Sequence, residues 1–186
     1  MSHLEIYHDT QSQTPFFETA DGAEISKILA EIGVRFHRWQ ADAVLDKNAT
    51  DQDVIQAYQR EIQKLQADYG YQAVDVIRLD ASHPDKNAIR QKFLNEHTHS
   101  EDEVRFFVEG SGMFYLHADN KVFRVLCEAN DLISVPDNTP HWFDMSDTPH
   151  LTCIRLFTNP AGWVAEFTKD DIAQRFPLYE KQVSVC

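Results

Sequence analysis

The chain has 186 residues, of which 42% are hydrophobic and 11% aromatic, and this composition predicts a packed globular protein rather than a disordered one. The length is enough for one domain with a substantial core. The formal net charge of −13 argues against partners rich in phosphate, so we expect neither nucleic-acid binding nor attachment to an anionic membrane.

The N-terminal part, up to Gly70, predicts a mixture of strands and helices. The predicted elements are a strand at Leu4–His8, a helix at Ala23–Ile32, a strand at Val34–Trp39 and a helix at Asp51–Tyr69. The first helix has Asp21 as a candidate N-cap and Gly33 at its end. The second is the clearest, because apolar residues recur at helical spacing until Gly70 ends it.

The remainder of the chain predicts short strands in quick succession. They are placed at Ala73–Leu79, Lys92–His99, Val104–Glu109, Met113–His117, Val122–Glu128, Leu132–Val135 and His150–Phe157. Tight turns are expected at 118–121 and 128–131, and one more helix at Ala161–Phe167. Evenly spaced strands with tight turns indicate a β-sandwich or a β-barrel.

Domain organisation and compartment follow from what the sequence lacks. No linker or repeat marks a boundary, so we predict one domain over residues 1–179 and a flexible tail over 180–186. No segment resembles a signal peptide or a membrane span, and Cys127, Cys153 and Cys186 form no C-x-x-C pair. We therefore expect a cytoplasmic protein with reduced thiols. We also expect a monomer, because no long exposed apolar stripe requires a partner.

A histidine pair with an acidic residue close behind it predicts a transition-metal site. His97 and His99 are spaced i, i+2, so on a strand they project from the same face. A turn after His99 would bring Glu103 back toward them, and the turn-rich run before His141 could return a distant strand to the same place. Three imidazoles and one carboxylate suit Fe²⁺, Ni²⁺, Mn²⁺, Zn²⁺ or Co²⁺.

These residues also lie in strings that resemble a known family. His97-x-His99-x₃-Glu103-x₆-Gly110 resembles the first motif of the cupin superfamily, and the run from Asp131 to His141 resembles the second. Within that superfamily the chain is most similar to the acireductone dioxygenase family. The similarity lies in three strings, His97-THSEDEVRFFVEGS-Gly112, Val135-PDNTPHW-Phe143 and Arg155-LFTNPAG-Trp163.

The resemblance implies a mainly β fold with a few helices, a cupin-type β-barrel (double-stranded β-helix or jelly roll) with the N-terminal helices packed outside. It implies one Fe²⁺ or Ni²⁺ per chain, bound by His97, His99, Glu103 and His141. The substrates would be the acireductone 1,2-dihydroxy-5-(methylthio)pent-1-en-3-one, an intermediate of methionine salvage, and dioxygen. Iron would give 4-methylthio-2-oxobutanoate and formate, and nickel would give 3-methylthiopropionate, formate and carbon monoxide.

Strand parity adds candidate residues around the metal. Arg105 follows Glu103 by two residues and would face the same side, where its guanidinium could balance the charge of an enediolate. We therefore treat Arg105 and Glu103 as the candidate catalytic residues. Phe143 stands in the same relation to His141 and could form a wall of the pocket. The resemblance adds Phe93 and Trp163 as aromatic residues that hold the substrate.

Two other classes of protein fit the same ligands. A different metal-dependent cupin enzyme, such as an isomerase or a thiol dioxygenase, remains open from the residues alone. Glu103 disfavours the thiol dioxygenases, which generally use three histidines. A non-enzymatic cupin that binds a metal or small ligand is disfavoured by the complete ligand set. Glu101 and Asp102 are interpreted as turn residues, although either could take a proton from the substrate.

Overall fold

The computed structural model describes residues 1–41, 45–46, 48–159 and 163–180. The described helices are α1 (Gly22–Glu31), α2 (Asp51–Ala57), α3 (Gln59–Tyr69), α4 (Lys86–Phe93) and α5 (Ile172–Arg175). The strands are β1 (His3–His8), β2 (Phe17–Thr19), β3 (Arg35–Arg38), β4 (Ala73–Asp80), β5 (His97–Thr98), β6 (Glu103–Ala118), β7 (Lys121–Glu128), β8 (Asp131–Val135), β9 (His141–Asp144), β10 (His150–Phe157) and β11 (Glu166–Phe167). Residues 181–186, most of the tail expected at 180–186, lie outside the described residues, as does Cys186.

The strands form two antiparallel sheets that share β6. The C-terminal half of β6 belongs to the sheet β11-β5-β9-β6-β7-β1-β2. Its N-terminal half belongs to the sheet β4-β10-β6-β8-β3. Four strands (β2, β3, β4 and β11) pair on one side only among the described residues, so the fold is a jelly-roll sandwich with open edges. The expected mainly β, cupin-type fold is confirmed.

The bend that lets β6 serve both sheets lies at Gly110. The ladder with β10 shifts register between Thr152 and Cys153 and skips Val108, so a β-bulge lies two residues before Gly110. Gly110 has φ +74°, in the left-handed region, and a Cβ there would overlap the carbonyl oxygen of His150. Only glycine satisfies both conditions without strain. The two predicted strands on either side of Gly110 are therefore one strand, bent at the position where a side chain cannot be accommodated.

Apolar side chains fill the space between the sheets and a second layer outside them. Phe107, Phe114 and Phe143 belong to the inner core, and each is 2% exposed or less. The second cluster joins Tyr58 and residues of α2 and α3 to the outer side of the β4-containing sheet. Tyr58 packs against Phe106 with ring centroids 4.6 Å apart. Of the helices expected outside the sandwich, α2 and α3 therefore cover this sheet, whereas Ile25 and Leu29 of α1 pack in the inner core.

Three predicted elements are wrong. The helix expected over Asp51–Tyr69 is interrupted at Tyr58, whose backbone leaves helical geometry (φ −112°, ψ 16°), so that α2 and α3 are separate. In the segment Lys92–His99, which was expected to be a strand, the first two residues belong to α4 and only His97–Thr98 forms a strand. Residues 163–167 of the expected helix Ala161–Phe167 are not helical and end in β11; residues 160–162 lie outside the described part. Pairing with β5, a contact between distant segments, overrides the local helical pattern there.

Candidate metal centre

The pairing of β5, β9 and β6 brings the four expected ligands together. His97 lies directly opposite His141 in the β5–β9 pair, and His141 also lies opposite Leu116 of β6. Glu103 is the first residue of β6. The four ligand atoms of His97, His99, Glu103 and His141 lie within 4.8 Å of one another, and each residue is 6% exposed or less. Within the described ranges this is the one such cluster of potential ligands.

The backbone orients each imidazole of this cluster. Nδ1 of His97 lies 2.7 Å from the Asn95 carbonyl, Nδ1 of His99 lies 2.9 Å from the Val164 carbonyl, and Nδ1 of His141 lies 2.7 Å from the Thr139 carbonyl. A carbonyl oxygen only accepts hydrogen bonds, so each Nδ1 carries the proton. In the neutral form of each ring, Nε2 then presents a lone pair to the centre, as in metal-binding histidines.

The position of Glu103 shows that this centre fits a cation. One carboxylate oxygen, Oε2, lies 2.9 Å from Nε2 of His99 and 3.2 Å from Nε2 of His141. The other, Oε1, is buried and makes no hydrogen bond of good geometry, although Nε of Arg105 is 2.7 Å away. Lone pairs that face one another in a buried site repel unless a proton or a metal ion lies between them. The residues therefore fit a divalent transition-metal ion.

The pKa directions of His97 and Glu103 agree with this arrangement, whereas that of His99 favours a proton in the place that a metal ion would take. Burial, helped by the neighbouring His141, lowers the pKa of His97 to about 4, so this imidazole is neutral near pH 7. Burial alone would raise the pKa of Glu103, but the Arg105 guanidinium and the imidazoles outweigh it and hold that pKa well below its usual value. Burial also opposes the charge on His99, whose pKa is nevertheless raised by its contact with Glu103. The carboxylate is thus ionised and available as a ligand.

Arg105 faces the centre as strand parity predicts. It is 3% exposed, and its guanidinium is enclosed by aromatic rings. Its Cζ atom lies 4.5 Å from the ring centroid of Phe143, 5.4 Å from that of Phe93 and 5.5 Å from that of Trp163. Cation–π attraction and the ion pair with Glu103 offset the cost of burying this charge.

A cavity of 580 Å³ opens beside the four-residue cluster. Its lining residues are Asp75, Lys92, Phe93, His99, Glu103, Arg105, Arg155, Phe157, Trp163, Val164, Ala165 and Phe167. Of the expected aromatic residues, Phe93 and Trp163 line it, whereas Phe143 lies in the core against the Arg105 guanidinium. The indole Nε1 of Trp163 donates to the Asp102 carbonyl at 3.1 Å, which fixes the plane of that ring.

Sequence reasoning missed the second charged pair of the cavity. Arg155 donates two hydrogen bonds to the Asp75 carboxylate, at 2.8 and 2.6 Å. Arg155 also lies opposite Arg105 in the β10–β6 pair, so both arginines share one face of the sheet. In the sequence, the one indication of this pair is that Arg155 is the first residue of one of the family strings. Nothing in the sequence links it to Asp75, because Asp75 belongs to a distant strand.

The two acidic turn residues lie outside the cavity lining. Asp102 Oδ2 accepts from Nη2 of Arg35 at 3.0 Å and from the hydroxyl of Tyr71 at 3.2 Å. Glu101 Oε2 accepts from the backbone N–H of Thr158 at 2.6 Å. Their side chains hold the turn between β5 and β6, so neither is placed to exchange a proton with a ligand in the cavity.

The jelly-roll sandwich and its cluster of three histidines and one glutamate define a cupin-type metal protein. The family model ARD/ARD' matches residues 3–165, and the chain belongs to this family. It is 54% identical over 183 residues to an acireductone dioxygenase of Hahella chejuensis, covering 98% of each chain. It is 57% identical over 177 residues to one of Klebsiella pneumoniae, covering 95% of this chain and 98% of the relative. It is also similar to the structure "Acireductone dioxygenase from Bacillus anthracis with cadmium ion in active center", with a TM-score of 0.77, 31% identity, and coverage of 90% of this chain and 98% of that one.

Proposed function

We propose that the chain is a metal-dependent dioxygenase of methionine salvage that cleaves the acireductone 1,2-dihydroxy-5-(methylthio)pent-1-en-3-one with dioxygen. The observation that carries this proposal is the buried cluster of His97, His99, Glu103 and His141 beside a cavity of 580 Å³. Relatives more than half identical over nearly the whole chain are named acireductone dioxygenases. The cavity volume also lies in the range of ordinary small-molecule sites.

The four-residue cluster would hold one Fe²⁺ or Ni²⁺ per chain. Such an ion supplies Lewis-acid stabilisation of the enediolate oxygens and a path for electrons to dioxygen. Iron would direct the reaction to 4-methylthio-2-oxobutanoate and formate, and nickel to 3-methylthiopropionate, formate and carbon monoxide. Because both ions accept this donor set, the metal supplied decides the products.

The charges of the cavity suit an anionic substrate. Its lining carries three cations (Lys92, Arg105 and Arg155) and two carboxylates (Asp75 and Glu103), so the local balance is positive although the chain carries −13. The Arg105 guanidinium lies beside the metal ligands and is placed to donate hydrogen bonds to an enediolate oxygen. These contacts would hold the substrate as the dianion, the form that gives up electrons most readily.

The aromatic residues of the cavity supply the apolar side. Phe93, Phe157, Trp163 and Phe167 all line it. Aromatic rings attract a thioether sulfur, so this wall would bind the methylthio end of the acireductone. The same wall excludes water from the reacting carbons. Phe143 would act indirectly, by supporting the Arg105 guanidinium from the core.

The test is reconstitution of metal-free protein with Fe²⁺ or Ni²⁺ separately, followed by acireductone and oxygen. We expect oxygen uptake and formate with both metals, and carbon monoxide with nickel alone. Glu103→Ala should abolish uptake, whereas Glu109→Ala, which removes an exposed carboxylate of the same strand, should not. Stoichiometric metal binding without oxygen uptake would refute the dioxygenase and favour a non-enzymatic cupin.

We also propose a single domain, a cytoplasmic location and a monomeric state without nucleic-acid binding. The family model spans residues 3–165, which supports a single domain over 1–179. Cys127 and Cys153 are buried and free, which supports a reducing, cytoplasmic location. No helix in the described part of the chain is long and apolar enough to cross a membrane. A monomer that binds no nucleic acid stays a prediction, which light scattering and a gel-shift assay would test.

A further inference from the structure

The segment of residues 163–168, here called the strap, contributes to both the metal centre and the cavity. The Val164 carbonyl accepts the hydrogen bond that orients His99. Trp163, Val164, Ala165 and Phe167 line the cavity. Trp163 anchors the start of the strap by packing on Phe157, with ring centroids 4.5 Å apart. Farther along, Val164 is 70% exposed and Phe167 49% exposed. Hydrophobic burial therefore contributes little to holding the part of the strap that follows Trp163.

Hydrogen bonds fasten the strap at its two ends. At one end the indole of Trp163 donates to the Asp102 carbonyl. At the other, the Thr168 backbone N–H donates to the Glu96 carbonyl at 3.2 Å, and the Thr168 hydroxyl donates to Glu96 Oε2 at 2.5 Å. The short β11–β5 pairing lies between these ends. Glu96 therefore holds the end of the strap that lies next to His97.

Glu96 is itself held in one orientation. Glu96 is 3% exposed, and its second carboxylate oxygen, Oε1, lies 2.7 Å from Nδ1 of His117. Nε2 of His117 lies 3.7 Å from Asp9 Oδ2, so both nitrogens of this ring face carboxylates. A buried carboxylate is costly unless donors satisfy it, and Glu96 has a donor on each oxygen. The group that fastens the strap is thus a fixed one.

From this geometry we infer that the hydrogen bond between Glu96 and Thr168 positions the strap, and through the Val164 carbonyl positions His99 as a metal ligand. Glu96 and Thr168 are positioning residues, because neither lines the cavity beside the metal ligands. The inference rests on the proposed function only in assuming that the four-residue cluster binds metal. Partners that orient a metal-binding histidine commonly change metal affinity by about 10- to 100-fold when removed.

The experiment compares Thr168→Val, which removes the hydroxyl, with Thr168→Ser, which keeps it. Thr152→Val is the matched control, since Thr152 lies in β10 and makes no side-chain hydrogen bond among the described residues. Two quantities are measured on the full chain. One is the Ni²⁺ affinity, determined by chelator competition, and the other is the rate of amide hydrogen exchange at residues 163–168. Thr168 is exposed, so its valine variant should fold.

We expect Thr168→Val to bind Ni²⁺ about 10-fold more weakly than the wild type. The amides of its strap should also exchange faster with solvent. Thr168→Ser and Thr152→Val should resemble the wild type in both measurements. Wild-type affinity in Thr168→Val would overturn the inference, even if exchange became faster, because the strap would then not position His99. Unchanged exchange would overturn it as well. Failure of the wild-type chain to bind Ni²⁺ would instead contradict the proposed function, and the exchange measurement would still test whether Glu96 holds the strap.

Discussion

Replacing Arg105 by methionine separates the contribution of its charge from that of its volume. The guanidinium is 3% exposed, its Nε lies 2.7 Å from Glu103 Oε1, and it faces the rings of Phe93, Phe143 and Trp163. Methionine fills similar space and keeps favourable contacts with aromatic rings. The change therefore removes a cation from the site with little loss of packing.

The structure gives two magnitudes for Arg105→Met. Without metal, Glu103 would lose the cation that offsets its burial, and breaking one side of a buried ion pair costs about 3–5 kcal/mol of unfolding free energy. A bound divalent ion would compensate that carboxylate, so the loss should be smaller with metal. A hydrogen bond from a charged group to the substrate contributes about 1.5–3 kcal/mol. Its removal should lower kcat/KM roughly 10- to 150-fold.

The assay measures metal content, urea unfolding with and without metal, and oxygen uptake. Arg124→Met is the control, because Arg124 forms a partly buried ion pair with Glu5, with an N–O distance of 2.6 Å, and does not line the cavity. It should lose stability and keep kcat/KM. For Arg105→Met we expect full metal content with reduced kcat/KM. An Arg105→Met protein with wild-type kcat/KM, or one whose activity falls only in proportion to its metal, would refute the catalytic reading.

Two further predictions concern the bend in β6 and the contact between His117 and Glu96, the residue that fastens the strap. Gly110→Ala places a methyl group on the His150 carbonyl at a positive φ, so it should lower the free energy of unfolding by at least about 2 kcal/mol. Gly70→Ala, with a similar φ and open space, should cost only about 1 kcal/mol; equal losses in urea unfolding would contradict the steric reasoning. The hydrogen bond to Glu96 raises the pKa of His117, so this imidazolium stabilises the fold fully below about pH 6.5 and less as the pH rises through its folded pKa. The stability advantage of the metal-free wild type over His117→Gln should therefore shrink as the pH rises above about 6.5, and a pH-independent difference would show that His117 is neutral.

Local patterns predict those parts of the site that depend on strand parity. His97 with His99, and Glu103 with Arg105, are each two residues apart, and a strand places each pair on one face. The structure brings all four to one centre. Phe143 obeys the same parity with His141 but ends in the core, because parity fixes the face of a sheet and not the depth of the side chain.

The elements that were wrong depend on contacts between distant residues. The end of α4 includes Lys92 and Phe93, which were predicted as the start of a strand, and Arg90 of the same helix makes two hydrogen bonds to the buried Asp144 of β9. A strand at His141 was assumed in relating Phe143 to it, but the bounds of β9 were not predicted, because all four of its residues are buried and no alternation marks them. The bond from Arg90 to Asp144 spans 54 positions, which no local pattern can register.

The three carbonyls that orient the histidines differ in one respect that links the metal to the cavity. Asn95 and Thr139 each precede their histidine by two residues, so the turns before β5 and β9 are enough to fix His97 and His141. Val164 lies 65 positions from His99, and only tertiary structure brings it there. His99 is therefore the ligand whose orientation depends on the strap. Because coupling between two equilibria is reciprocal, a metal ion that requires His99 in place must stabilise the strap by the same free energy with which the strap strengthens metal binding. Loading the centre with metal should thus also order Trp163 and Phe167, the aromatic wall against which the substrate would bind.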